Sequence, residues 1–189
     1  MKLFLLEQVA DRPDALATRL EAAGCCVIER LHSTKALETA LAQQRSDILV
    51  LDLVTPDVEL VQQLGQIGQR HNQPVAVFVE KTDVNTIKVA VDAGISSYIV
   101  RGSQVERLHD ALEVARARFA SEQSLRSDLA SAKSTLVDRK VIERAKGRLM
   151  KEQGLDEDDA FRALREISMR RNCKMVEVAR SILEESNDP

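Results

Sequence analysis

The sequence predicts an α/β domain on a five-stranded parallel sheet, followed by one long helix and a small three-helix bundle. Three observations carry that reading. Short apolar runs recur at residues 3–6, 26–28, 48–53, 75–79 and 98–100 with helix-like segments between them, the alternation of a sheet wound on both sides. From residue 104 to 150 there is no Pro, and Gly147 is the first Gly, so no breaker interrupts a helix there until near its end. Beyond Gly154, two more periodic segments close the chain.

Taken in order, the first run ends at Glu7 and Gln8, and the third, ILVLDL, carries Asp52 straight after four apolar residues, with Pro56 four residues on. DALATRLEAA stops at Gly24 and NTIKVAVDA at Gly94, each where a left-handed residue ends a helix. Ser33, Asp83 and Ser103 stand where a side-chain oxygen caps the following helix. The first domain then covers residues 1–120.

Within the long helix, Leu108, Leu112, Ala115 and Phe119, and then Leu125, Leu129, Ala132 and Leu136, recur in steps of four and three. That is the spacing of a coiled-coil seam. The two sets are offset by 17 residues, two heptads plus three, so the seam contains a stammer. It predicts a homodimer joined through Leu125, Leu129 and Leu136 along a linker at residues 121–137; the alternative is a helix folded onto its own domain. The bundle occupies residues 138–189. Asp156 is placed to cap its second helix, whose first-turn acids Glu157, Asp158 and Asp159 complement the helix dipole. Met175, Val178, Ala179 and Ile182 share one face of its third.

Hydrophobic residues make up 44% of the chain and aromatics 3%, with no Trp, so the core is aliphatic. A net charge of -3 argues against general affinity for polyanions. Residues 139–151 depart from that balance, holding Arg139, Lys140, Arg144, Lys146, Arg148 and Lys151 against one acid, Glu143. The three cysteines lack metal spacing, MKLFLLEQ is too short for a secretory leader, and no apolar run is long enough to span a membrane. The expectation is a cytoplasmic protein without metal or cofactor. No nucleophile has an evident base partner, and no Gly-rich loop cradles phosphate, which excludes the usual enzyme signatures.

Five βα units with Asp52 after the third strand, Pro56, and AGISSYIVRG with Tyr98 in the fifth-strand region make the first domain resemble a response-regulator receiver. The resemblance implies a flavodoxin-like sheet of order 2-1-3-4-5 with Asp52 at the carboxyl edge, where such folds hold ligands. It also exposes departures. The acidic pair expected after the first strand is Glu7 and Gln8, the hydroxyl residue expected after the fourth is Val79, and the fifth-strand lysine is Arg101. Mg²⁺ needs oxygen ligands with carboxylates among them, and Arg is a bidentate fork rather than a point charge. Glu7, Asp52 and Arg101 are therefore expected to form a degenerate phosphoacceptor site, a pseudo-receiver. Phosphorylation at Asp52 and binding of another small ligand remain alternatives.

The tail resembles the ANTAR domain, an RNA-binding antitermination module. The matching residues are IERAKGRLM (142–150), Gly154, Ala160, Leu164 and Arg165, Met169, and Val178 with Ala179. Among such proteins the likeness is greatest to nitrate-responsive antiterminators of two-component type. It implies binding to leader RNA hairpins of nitrate or nitrite assimilation genes, under control of a nitrate-sensing regulatory protein resembling NasS. Arg144, Lys146, Arg148, Lys151, Arg165, Arg170 and Arg171 are the expected RNA contacts. Phe161 is expected in the core rather than on a base, and Ala145, Gly147, Ala160 and Ala163 where helices approach closely. A phosphorylation-dependent regulator and a protein-interaction dimer without RNA binding are the rival readings.

Overall fold

The computed structural model describes residues 1–8, 16–56, 58–100 and 107–184. The chain forms two compact units, Met1–Gln123 and Ser124–Pro189, and each is described by itself. In the first, β1 (Lys2–Glu7), β2 (Cys26–Leu31), β3 (Ile48–Leu53), β4 (Val75–Val79) and β5 (Ser97–Val100) form one parallel sheet. Its order is β2-β1-β3-β4-β5, as expected. Between the strands lie α1 (Leu16–Ala22), α2 (Thr34–Gln43), α3 (Val58–His71) and α4 (Val84–Asp92).

Side chains alternate across the pleat, and each face has its own core. Phe4, Leu6, Leu49, Leu51, Leu53, Val75 and Val77 pack with Leu37 and Leu41 of α2 and Leu64 and Ile67 of α3. Leu3, Leu5, Ile48, Val50, Ala76 and Phe78 face Leu16 and Leu20 of α1. The second cluster also takes in Leu108, Leu112 and Ala115, from the start of α5 (Leu108–Gln153). Gly65 and Gly68 let α3 lie close to its neighbours, because a Cβ there would run into the Ala93 backbone and into Val75.

The expected caps are present at Ser33, which accepts from Ala36 N–H at 3.2 Å, and at Asp83, which accepts from Thr86 N–H at 2.9 Å. The Thr86 N–H and then its hydroxyl hold the Asp83 carboxyl below the usual carboxylate range. Gly24, Gly94 and Gly154 all take positive φ at helix ends. Ser103, expected to cap the last receiver helix, lies outside the described residues. β2 runs three residues beyond the apolar stretch that announced it, and it ends in Glu29, Arg30 and Leu31.

The second unit packs the end of α5 with α6 (Glu157–Arg171) and α7 (Met175–Glu184) around Ala145, Leu149, Ala160, Leu164, Val178 and Ala179. Asp156 caps α6 by accepting from Asp159 N–H at 2.8 Å, and Asn172, with φ 48°, ends it in the left-handed region.

The seam needs one correction. Leu108, Leu112 and Ala115 are buried against the sheet of their own unit, whereas Leu125, Leu129 and Leu136 are 67%, 55% and 61% exposed. The offset between the two sets therefore marks a change of environment along α5 rather than a stammer within one continuous seam.

Candidate nucleic-acid interface

Two places concentrate charge: the carboxyl edge of the sheet and the helical bundle. At the first, register sets Glu7 opposite Asp52 on the adjacent ends of β1 and β3, and both are buried, 3% and 6% exposed. Arg30 at the end of β2 donates through Nε to Glu7 Oε2 at 2.7 Å. Gln8 serves the backbone: its N–H donates to Asp52 O at 3.0 Å, and its Oε1 accepts from Val54 N–H at 3.1 Å. Val79 is fully buried and brings no polar side-chain atom. Tyr98, half-buried, places its hydroxyl 2.9 Å from Thr82 Oγ1. Arg101 lies outside the described residues.

Mg²⁺ fits this donor set poorly. One of the two carboxylates is engaged by a guanidinium, and the amide oxygen standing where a second metal carboxylate is expected is bonded to the backbone. Among the described residues no group of three or more His, Cys, Asp or Glu is placed to hold a metal ion.

In the bundle, the expected cations divide into two sets. Lys146 lies against the core with its side chain only 9% exposed, and its ammonium is 2.8 Å from Glu157 on α6 and 3.0 Å from Glu143 on α5. Hydrogen bonds to Glu157 and then to Glu143 raise the Lys146 pKa above its ordinary value, and the same Lys146 contact lowers that of Glu157. Arg148 donates Nη1 to the carbonyls of Ile182 at 2.6 Å and Leu183 at 3.4 Å, satisfying the open end of α7, while Nε reaches Glu152 at 2.8 Å. Both residues are among the expected RNA contacts, and in this fold their charges also tie the three helices together.

Arg144, Lys151, Arg165, Arg170 and Arg171 are exposed, with no ion pair among the described residues. Two further expectations are corrected. Phe161 is 44% exposed rather than core, whereas Ala160 and Leu164 of the same helix are fully buried. A Cβ at Gly147 would meet nothing within 4 Å, so that glycine marks no close helix approach, whereas Ala145 and Ala160 are fully buried.

Comparison with known proteins matches this division. Residues 7–113 match the response regulator receiver domain family and residues 130–183 the ANTAR domain family. The chain is a receiver–ANTAR response regulator. It is similar to the transcriptional regulatory protein PdtaR of Mycobacterium tuberculosis, 29% identical over 77% of this chain and 71% of that protein. A shorter likeness, 44% identical over 38% of this chain, is to the nitrate regulatory protein of Klebsiella oxytoca, of which it spans 18%. Among solved structures, that of FixJ-N superposes with a TM-score of 0.51 at 26% identity, covering 61% of this chain and 93% of that one.

The chain is thus a transcription antitermination regulator of a non-enzymatic family, and its ANTAR domain is of an RNA-binding kind. None of the helices among the described residues is long and apolar enough to cross a membrane. Sequence reasoning missed Arg30 as the partner of Glu7 and Arg148 as the cap of α7. The only sequence signal for the first was an arginine just past a short edge strand.

Proposed function

We propose that this regulator binds leader RNA hairpins of nitrate or nitrite assimilation genes in the cytoplasm and favours an antiterminating RNA structure. The observation that carries the reading is the set of exposed ANTAR cations, Arg144, Lys151, Arg165, Arg170 and Arg171, left over once Lys146 and Arg148 are engaged in packing. Such cations strengthen RNA binding by releasing counterions from the phosphates they meet. The likeness to the Klebsiella nitrate regulatory protein supports the nitrate assignment. Leu125, Leu129 and Leu136 join two copies, and two tails on two hairpins raise the effective concentration of the second contact.

Control comes from a nitrate-sensing protein partner rather than from a phosphoryl group on Asp52. The Glu7–Arg30 pair, the amide of Gln8 and the apolar Val79 support this, since phosphoryl transfer depends on a metal ion and donors to neutralise the incoming oxygens.

The test is a mobility-shift titration of full-length protein against the leader RNA upstream of its neighbouring operon, with and without a small phosphodonor and Mg²⁺. Specific binding unchanged by the phosphodonor is expected. Stable modification of Asp52 that changes affinity would restore the phosphorylation reading, and absence of any specific complex would favour a protein-interaction dimer.

A further inference from the structure

Phosphate contacts position a protein on RNA, but they do not select a loop; selection needs stacking or edge contacts with unpaired bases. The exposed side of α6 carries groups of that kind. Phe161, Arg165 and Met169 follow one another at intervals of four residues, so they lie on one gently winding side of the helix. Phe161 is 44% and Met169 67% exposed, and Arg165, also exposed, is the residue between them in the row. An aromatic ring, a planar cation and a polarizable thioether are all surfaces on which a base can lie flat.

The charge along α6 is graded. Its first turn holds Glu157, Asp158 and Asp159, whereas residues 162–171 hold four arginines against Glu166. Arg162 is paired with Asp159 at 2.9 Å, which leaves Arg165, Arg170 and Arg171 for the nucleic acid. Beyond Met169 the row meets an open cleft of about 490 Å³ at the α6–α7 turn, lined by Ser168, Met169, Asn172, Cys173, Lys174 and Glu177. The turn is well tied. Asn172 adopts the left-handed conformation, and Ser168 Oγ donates to Cys173 O at 2.6 Å. Asn172, Lys174 and Glu177 offer donors and acceptors to a base edge, which a purely apolar contact face would lack.

We infer that Phe161, Arg165 and Met169 form a platform on which unpaired loop bases stack, with the cleft at the α6–α7 turn receiving the edge of one of them. This rests on the RNA-binding reading and adds to it the residues that discriminate between loops. The phosphate-binding cations supply affinity, and the platform supplies choice.

Because the chain has no Trp, Phe161→Trp installs a single tryptophan reporter at the platform. The full-length protein is first used to select hairpins from a pool with a fixed stem and a randomised loop. Tryptophan quenching is then followed with a selected hairpin, with the same stem as a blunt duplex, and with inorganic polyphosphate, which has charge but no bases. Quenching by the hairpin alone is expected. In parallel, Phe161→Ala lowers affinity for the selected hairpin by about 5- to 150-fold, the range of one base–aromatic stack, while duplex binding and thermal stability stay unchanged. Met169→Ala acts in the same direction with a smaller loss.

If the wild-type chain enriches no loop, the RNA reading fails and the platform falls with it. If selected hairpins bind tightly but Phe161→Ala and Met169→Ala discriminate against the duplex as well as wild type does, only the platform is overturned. Equal quenching by polyphosphate overturns it too. So does a Phe161→Ala variant that loses its dimer yet keeps loop discrimination, which would assign the face to a protein contact.

Discussion

The two stretches of α5 at residues 108–119 and 125–137 carry the same apolar spacing and the same helical backbone, yet they meet different surroundings. Leu108, Leu112 and Ala115 are covered by the receiver sheet, while Leu125, Leu129, Leu136 and Val137 face outward. Periodicity identifies which side of a helix needs covering; it does not say what covers it. The first stretch is completed within the fold. The second stays exposed over several turns, which is the reason a coiled-coil partner is proposed for it.

The largest effect should separate the two stretches directly. Leu112→Ala removes a fully buried side chain and should cost about 2–5 kcal/mol of receiver stability in a denaturant titration. Leu129→Ala at protein concentrations where the chain is monomeric should leave the same transition in place. Equal losses would mean that the outer stretch is buried within one molecule.

Next in size is association. Leu129→Lys with Leu136→Lys places cations on the outer seam, and sedimentation should show dimerisation weakened by about a hundredfold or more, since each buried leucine is worth about 1.5–3 kcal/mol. An unchanged dimer would move the interface elsewhere.

A smaller and pH-dependent effect belongs to the Lys146 clamp. The Glu157 pKa is lowered, so its contribution is present above the ordinary carboxylate value of 4.5 and is lost as pH falls through its depressed folded value. The Lys146 pKa is raised, so its contribution is present below 10.5 and is lost only as pH climbs through a still higher value. Both are complete between 4.5 and 10.5. Wild type should therefore melt above Glu157→Gln at neutral pH, and the gap should narrow on acidification. A gap that stays constant would show that the carboxylate charge at Glu157 contributes nothing to the bundle.

Much of this architecture was legible because its signals are local. Apolar runs named the five strands, and the cap residues Ser33, Asp83 and Asp156 named three helix starts. What escaped depends on residues distant in sequence. β2 is an edge strand with a mostly exposed second half, so no apolar run announced Arg30, and its ion pair with Glu7 spans 23 residues. Lys146 sits in a basic run with Glu143 beside it, but the second glutamate that engages it, Glu157, is on the next helix. Phe161 was expected inside because aromatic residues usually are, but on α6 it is 44% exposed.

The central claim is that the exposed cations of the ANTAR bundle bind RNA. It is tested most directly by titrating a fluorescent hairpin RNA at several salt concentrations with full-length wild type and with an Arg144→Ala, Arg170→Ala, Arg171→Ala triple variant. The account predicts that the variant binds more weakly and that its log–log salt slope is shallower by about 2–3, for three lost phosphate contacts. Unchanged affinity and an unchanged slope would contradict it.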